Sequence, residues 1–382
     1  MKISVAVRTK FHAFQLAQQL QNRGALHKLY TSFYGKILNK DNRIGFDIPP
    51  HKVSQNLITA LLFYGFDTQN YNVFQYFGRC VAKQLRDENL IVTFPIIALP
   101  ILERAKLLGI KTVISHASAH TFEHKKLLLE AYEKLGFPTK IIEKEFHALR
   151  QESMKMEYEK ADFIQVPSLF VKRTFLEQEI PENKLLYVPL GVDLRFFYRK
   201  AISPPKKFRL IYVGQLSIRK GLPLLIAAFT KLNLPNAELC LIGALTQEVK
   251  PFIDTITSKN ISYLGVILQT KLITELNKSS IFVINSIEDG FAQVVPQAMS
   301  CGLPVICTEN VGGADLVENG KTGFVIPIHD LHALQEKILY FYQNPEQIIE
   351  MGYVAQQKVQ QNYTWEVFGQ KCYDDYTKIL QQ

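Results

Sequence analysis

Five short and almost wholly apolar stretches recur through the second half of the chain: RLIYVG, AELCLIG, ISYLGVI, IFVINS and PVICT. Between them run helix-patterned segments such as LPLLIAAFTKL, KPFIDTITS and KLITELNKSS. A strand with one wet face alternates apolar and polar residues, whereas one that is apolar throughout is covered by helices on both faces. Such strands, alternating with helices, build a parallel sheet through right-handed crossovers. The first half opens the same way, with MKISVAVR as a strand, AFQLAQQLQNRG as a helix stopped by Gly24, and ALHKLYTSF as a second strand. NLIVTFPI, ALPILERAKLLG and KTVISH repeat that order with Gly109 at the helix stop.

From Lys125 to Ala161 the pattern is mostly helical, followed by DFIQVPS, the helix LFVKRTFLEQEI and the strand-like KLLYVPLGVD. KAISPPKK reads as a linker. The expectation is an α/β chain of two doubly wound domains, residues 1–195 and 205–364. A final amphipathic helix, TWEVFGQKCYDDYTKIL, would be capped by Thr364. Residues 36–88 offer little beyond VFQYFGRCVAKQLR as an amphipathic helix.

A length of 382 residues suits about two domains, and 47% apolar with 21% charged residues fits an ordinary globular protein. The longest apolar run, LIVTFPIIALPIL, is too short to span a membrane and contains Pro95 and Pro100. No signal-peptide pattern opens the chain, and five scattered cysteines form no C-x-x-C pair, so a cytoplasmic protein is expected. The net charge of +9 resides in residues 1–200, which hold 29 Lys and Arg against 19 Asp and Glu. A basic half suits an anionic membrane surface or a phosphorylated substrate. Nothing resembles a zinc finger, an RNA-binding aromatic motif or a dense basic helix, so nucleic acid is not an expected partner.

Ligands of open α/β sheets bind beyond the C-terminal strand ends, where helix N-termini offer free N–H groups. YVGQLSIRKGLPLL places Gly214, then Arg219 and Lys220, then Gly221 at a helix start. Two cations there suit a diphosphate, although a solvated basic turn has the same composition. EDGFAQVVPQAMSCGLPVI follows IFVINS. With a helix starting near Phe291, the N–H groups of Gly290, Phe291 and Ala292 would face a phosphate or sugar. Asp289 would accept from sugar hydroxyls, and Gln297 would meet a ribose diol; the plainer reading makes Glu288 and Asp289 helix caps. In KTVISHASAHTFEH, His116, His120 and His124 recur at a spacing of four. That spacing can hold a metal on a helical face, but no cysteine accompanies it and no metal site is expected. Lys10 and His12 follow the first strand and would line the facing side of a cleft. No G-x-G-x-x-G follows any strand, which argues against a nicotinamide dehydrogenase.

The segments VGQLSIRKGLPLLIAAF, LCLIG, YLGVI, NSIEDGFAQVVPQAMSCGLPVICTENVGGADLVENGKTGFVIP and TWEVF, in this order and spacing, resemble the retaining glycosyltransferases of the GT-B fold, family 4. ADFIQVPSLFVKRTFL and YVPLGVDLRFF resemble that family's interdomain region. The resemblance implies two Rossmann-like domains facing across a cleft, with the C-terminal helix, about 365–382, returning to the first. It implies a hexosyltransferase-type enzyme that moves a sugar from a nucleotide-diphosphate sugar to a hydroxyl of a glycan, lipid-linked or small-molecule acceptor. Neither cofactor nor active-site metal is implied.

Residue by residue, the donor would meet Gln215, where the family usually has Arg, then Arg219, Lys220, the backbone at Val266, and Gly290, Phe291, Ala292 and Gln293. The family's E-x7-E motif falls on Asp289 and Gln297, both departures from it, and Glu288 is the alternative holder of the acidic role. The family histidine that reaches the donor sugar falls on His116 or, with a longer loop, on His120; His124 is expected to serve its helix. The glycine-rich version of the Lys10–His12 loop is absent. Rival readings are a non-catalytic sugar-nucleotide or glycan-binding subunit, and a GT-B epimerase or phosphorylase.

Overall fold

The computed structural model describes residues 1–9, 12–33, 46–60, 71–200, 207–254 and 259–382. Seven strands, β1 (Ile3–Ala6), β2 (Leu26–Thr31), β3 (Val53–Gln55), β4 (Leu90–Thr93), β5 (Lys111–Ser115), β6 (Phe163–Val166) and β7 (Leu185–Tyr187), form the first sheet. Its order is β3-β2-β1-β4-β5-β6-β7, and every pairing is parallel. The second sheet takes β8 (Phe208–Val213), β9 (Ala237–Ile242), β10 (Ile261–Tyr263), β11 (Ile281–Ile284), β12 (Val305–Thr308) and β13 (Gly323–Ile326). These lie in the order β10-β9-β8-β11-β12-β13, again all parallel. The all-apolar composition has its expected cause: β1, β4, β11 and β12 are buried at every position.

In both sheets the strand order reverses, beside β1 and β4 in one and β8 and β11 in the other. At such a point the two flanking loops diverge to opposite faces and leave a crevice at the C-terminal strand ends. The two crevices face each other, because loop residues after β5 touch loop residues after β11 (Ala117 and Ala119 against Gly290 and Glu288).

Two connections cross between the domains side by side. The Val192 N–H donates to the Tyr363 carbonyl at 2.8 Å, and Val192 bridges Thr364. A side chain on Gly191 would meet the Thr364 main chain at 2.4 Å. The chain then enters the helix Trp365–Gln381, whose first turn is capped by Thr364 Oγ1 accepting from Val367 N at 3.3 Å. This helix lies on the first domain: Gly369 leaves no room beside Gln19, and the Tyr376 hydroxyl donates to Gln165 at 2.5 Å.

The structure adds β3, β13 and the helices Leu331–Gln343 and Pro345–Asn362 to the elements read from the pattern. The linker residues 201–206 lie outside the described residues. Among the described residues no helix is long and apolar enough to cross a membrane.

Candidate active site

Glu288 lies in the loop after β11 with no solvent exposure. Its Oε1 accepts from the Ala119 N–H at 3.0 Å, and its Oε2 lies 2.9 Å from Arg219 Nη1 and 3.2 Å from His124 Nε2. Ala119 and His124 belong to the first domain and Arg219 to the second, so one carboxylate joins the two. Burial alone would raise its pKa, but His124, Arg219 and Lys220 together hold it down at about 2. The His124 nitrogen is within ion-pair reach without the alignment of a hydrogen bond, and its ring stands edge-on to Phe146 at 4.9 Å. Burial lowers the His124 pKa, with Glu288 opposing.

The neighbouring acid has different work. Asp289 pairs with the nearly buried Lys220, and its Oδ1 accepts from Ala292 N at 2.9 Å. That turn places Ala292 at φ 54°, so the helix begins at Val294 and not near Phe291. The Asp289 main chain bonds Asn310 O at 3.0 Å and Gly312 N at 2.7 Å. Gly290 fits because it is glycine: a Cβ there would lie 1.9 Å from the Ala117 carbonyl oxygen. The Gly290 carbonyl accepts from Ser168 Oγ at 2.7 Å, a second bond across the domains.

The loop after β8 is locked to the same point. Gly221, at φ 70°, opens the helix Leu222–Leu232, and a Cβ on it would meet the Asn285 carbonyl oxygen at 2.1 Å. Asn285 Nδ2 donates back to the Gly221 carbonyl at 2.7 Å. Arg219 and Lys220 are thereby fixed immediately before a helix N-terminus, where the macrodipole adds to their positive field.

A cavity of about 750 Å³ opens between the domains, lined by Ala119, His124, Phe146 and Arg150 of the first and by Gln215 and Arg219 of the second. A second, of about 430 Å³, lies at the opposite ends of the second sheet's strands, against Phe208, Ser280 and Leu303. Strand polarity favours the first as a functional site, since ligands of such sheets bind at C-terminal strand ends.

His116 does not reach this cleft. Its Nδ1 is 2.7 Å from the Ser118 carbonyl and its Nε2 is 2.8 Å from the Tyr158 hydroxyl, with Phe175 edge-on to the ring. These partners satisfy both nitrogens inside the first domain, and burial takes its pKa to about 3. His120 caps the helix Thr121–Lys134, accepting from Phe122 N at 3.4 Å, and burial lowers it to about 4. Of the three histidines, His124 is the one that lines the cleft, contrary to the helix-serving role expected of it. Sequence spacing could not reveal this, because the contact that marks His124 comes from Glu288, 164 positions away.

Glu288, the alternative acid for the donor, is closed off by its own partners. His12 is buried with Nε2 2.9 Å from Ser115 Oγ, and Lys10 lies outside the described residues. Gln293 Nε2 donates to the Gly191 carbonyl beside the domain crossing. Gln297 is half-buried on the helix Val294–Ser300, and Val266 is 77% exposed beyond β10; neither lines the 750 Å³ cavity. Among the described residues no group of three His, Cys, Asp or Glu side chains is placed to hold a metal ion.

Residues 195–358 match the family model described as Glycosyl transferases group 1. The "Probable sucrose-phosphate synthase" of Thermosipho melanesiensis is 26% identical over 212 residues, 53% of this chain and 48% of that protein. The chain thus spans about half the length of the curated relatives it matches. A solved sucrose-phosphate synthase from Thermosynechococcus elongatus superposes with a TM-score of 0.79 at 18% identity, covering 99% of both chains. Anabaena HepE in complex with UDP-glucose does so with a TM-score of 0.72 at 16% identity, covering 99% of this chain and 100% of that one. Over residues 195–358 the chain thus matches the glycosyl transferases group 1 family model, on a GT-B fold of two Rossmann-like domains.

Proposed function

We propose that the protein transfers a sugar from a nucleoside diphosphate sugar to an acceptor hydroxyl, with retention at the anomeric carbon. The observation that carries this reading is the placement of Arg219 on the wall of an interdomain cleft, with the nearly buried Lys220 beside it at a helix start, within the region that matches the family model. The anomeric carbon leaves the diphosphate oxygen and bonds the acceptor oxygen on the same face. The acceptor's proton passes to the departing phosphate, so no side-chain nucleophile takes part. Lys220 and Arg219 stabilise the charge that develops on the leaving group, which is electrostatic catalysis by preorganised cations. Asp289, held beside Lys220, takes sugar hydroxyls; Gln297 takes the ribose, and the backbone at Val266 takes the base.

With two cations on the diphosphate, no metal is required in this scheme. HepE was solved with UDP-glucose, which makes uridine diphosphate sugars the first donors to test. The acceptor is a glycan, lipid-linked or small-molecule hydroxyl held by the first domain. Its excess of Lys and Arg supports peripheral contact with an anionic membrane at the cytoplasmic face, measurable as salt-sensitive sedimentation with anionic vesicles.

Calorimetric titration with UDP, GDP and ADP, with and without magnesium, tests the reading. One nucleotide should bind tightly without the metal, and Lys220→Ala should weaken it at least tenfold. Binding of none would sink it. Gln297, standing where the family pattern has a carboxylate, favours a second reading as a non-catalytic binding subunit. That version predicts nucleotide binding without glycosyl product on any acceptor, unrepaired by Gln297→Glu.

A further inference from the structure

The two walls of the cleft differ in how their charges are matched. On the second domain's wall, Arg219 is paired with Glu288. On the first domain's wall stand Arg150 and Lys144, with Tyr71, Phe146 and His147 around them. Among the described residues no carboxylate lies within ion-pair distance of either cation. Glu145, beside them, gives Arg150 only its main-chain oxygen, 3.0 Å from Nη1.

Arg150 is fixed by its neighbours. Its backbone N–H is capped by His147 Nδ1 at 3.3 Å, its guanidinium lies 5.8 Å from the centre of the Phe146 ring, and its Nε is buried with no hydrogen-bond partner. A guanidinium taken partly out of water and given no anion is costly, and burial accordingly lowers its pKa. Its planar fork matches a phosphate or a carboxylate in two-point contact. Tyr71 and Phe146 add aromatic surface suited to the apolar face of a pyranose ring.

We infer that the acceptor is an anionic sugar, whose phosphate or carboxylate is bound by Arg150 and Lys144 on the wall opposite the donor. This rests on the glycosyl-transfer reading and narrows its acceptor class. A neutral acceptor would leave the Arg150 guanidinium without a counter-charge in the complex.

The test is a calorimetric titration of the nucleotide-saturated protein with glucose 6-phosphate, glucuronate and glucose. One anionic sugar should bind at least tenfold more tightly than glucose, and which one does so separates a phosphate from a carboxylate. Arg150→Gln should remove that advantage while nucleotide affinity stays unchanged; Lys155→Gln, on the same helix and half-exposed, should alter neither. Equal binding of glucose, no binding of either anion, or retention of anion binding in Arg150→Gln would overturn the proposal. So would an equal loss of nucleotide affinity, which would assign Arg150 to the donor. Nucleotide titration alone tests the glycosyl-transfer reading separately.

Discussion

Replacing Glu288 by Gln removes the charge at the centre of the domain contact while keeping its shape. The carboxyl is held at about 2 in the fold against an ordinary 4.5. At about 1.4 kcal/mol per tenfold change in proton affinity, that difference stabilises the folded protein by about 3 kcal/mol at neutral pH. Pair removal gives a similar figure, since losing one partner of a buried ion pair costs about 3–5 kcal/mol. Arg219 is 30% exposed, which places this case at the low end. Because the folded-state pKa is depressed, the stabilisation is fully present above about 4.5 and is lost as pH falls through about 2. Urea denaturation of wild type and Glu288→Gln should therefore differ by about 3 kcal/mol at pH 7 and converge progressively below about pH 4.5. Comparing the two proteins cancels the titration of acids that do not interact with Glu288. A difference under about 0.5 kcal/mol at pH 7, or one that stays constant down to about pH 2.5, would refute the argument.

Gly290→Ala places a methyl against the Ala117 carbonyl oxygen, and backbone on both sides leaves little room for relief. It should cost about 1–3 kcal/mol and raise the radius of gyration in X-ray scattering, and an unchanged radius would contradict the described contact. Tyr158→Phe deprives the buried His116 Nε2 of its hydroxyl and should lower stability by about 1 kcal/mol in thermal melts. Nucleotide affinity should not move, and a fall would place His116 in the site after all. His124→Ala, in contrast, should weaken the contact between the domains and reduce the pH dependence assigned to Glu288, as read in the same urea series.

The sheet architecture was legible because it is written in continuous apolar runs: IFVI and VICT are buried at every residue, and no other element imposes that composition. β13 carries a weaker signal, since half of GFVI is partly exposed. The helix starts at Val294 and not near Phe291 because of a turn that depends on one side-chain bond, from Ala292 N to Asp289. The site was legible as loops and not as side-chain directions. Arg219 and Lys220 stand where strand order placed them, but position at a strand end made His116 the natural candidate for the donor sugar. The Tyr158 hydroxyl, 42 residues along the chain, turns that ring into the core. The division of labour between Glu288 and Asp289 likewise depends on partners from distant segments, which adjacency in the chain cannot show.

The side-by-side crossings at Gly191–Val192 and Tyr363–Trp365 have a mechanical consequence. A single flexible tether would let one domain twist and slide in any direction against the other. Two strands of chain, hydrogen-bonded together, constrain that freedom towards swinging about one line through the bonded pair. Motion then grows with distance from that line. The arrangement also tolerates damage: a protease cut between Lys200 and Lys207 would leave the halves joined by the second crossing and by the packed C-terminal helix. The nicked protein should migrate as two fragments in denaturing gels and as one body in gel filtration.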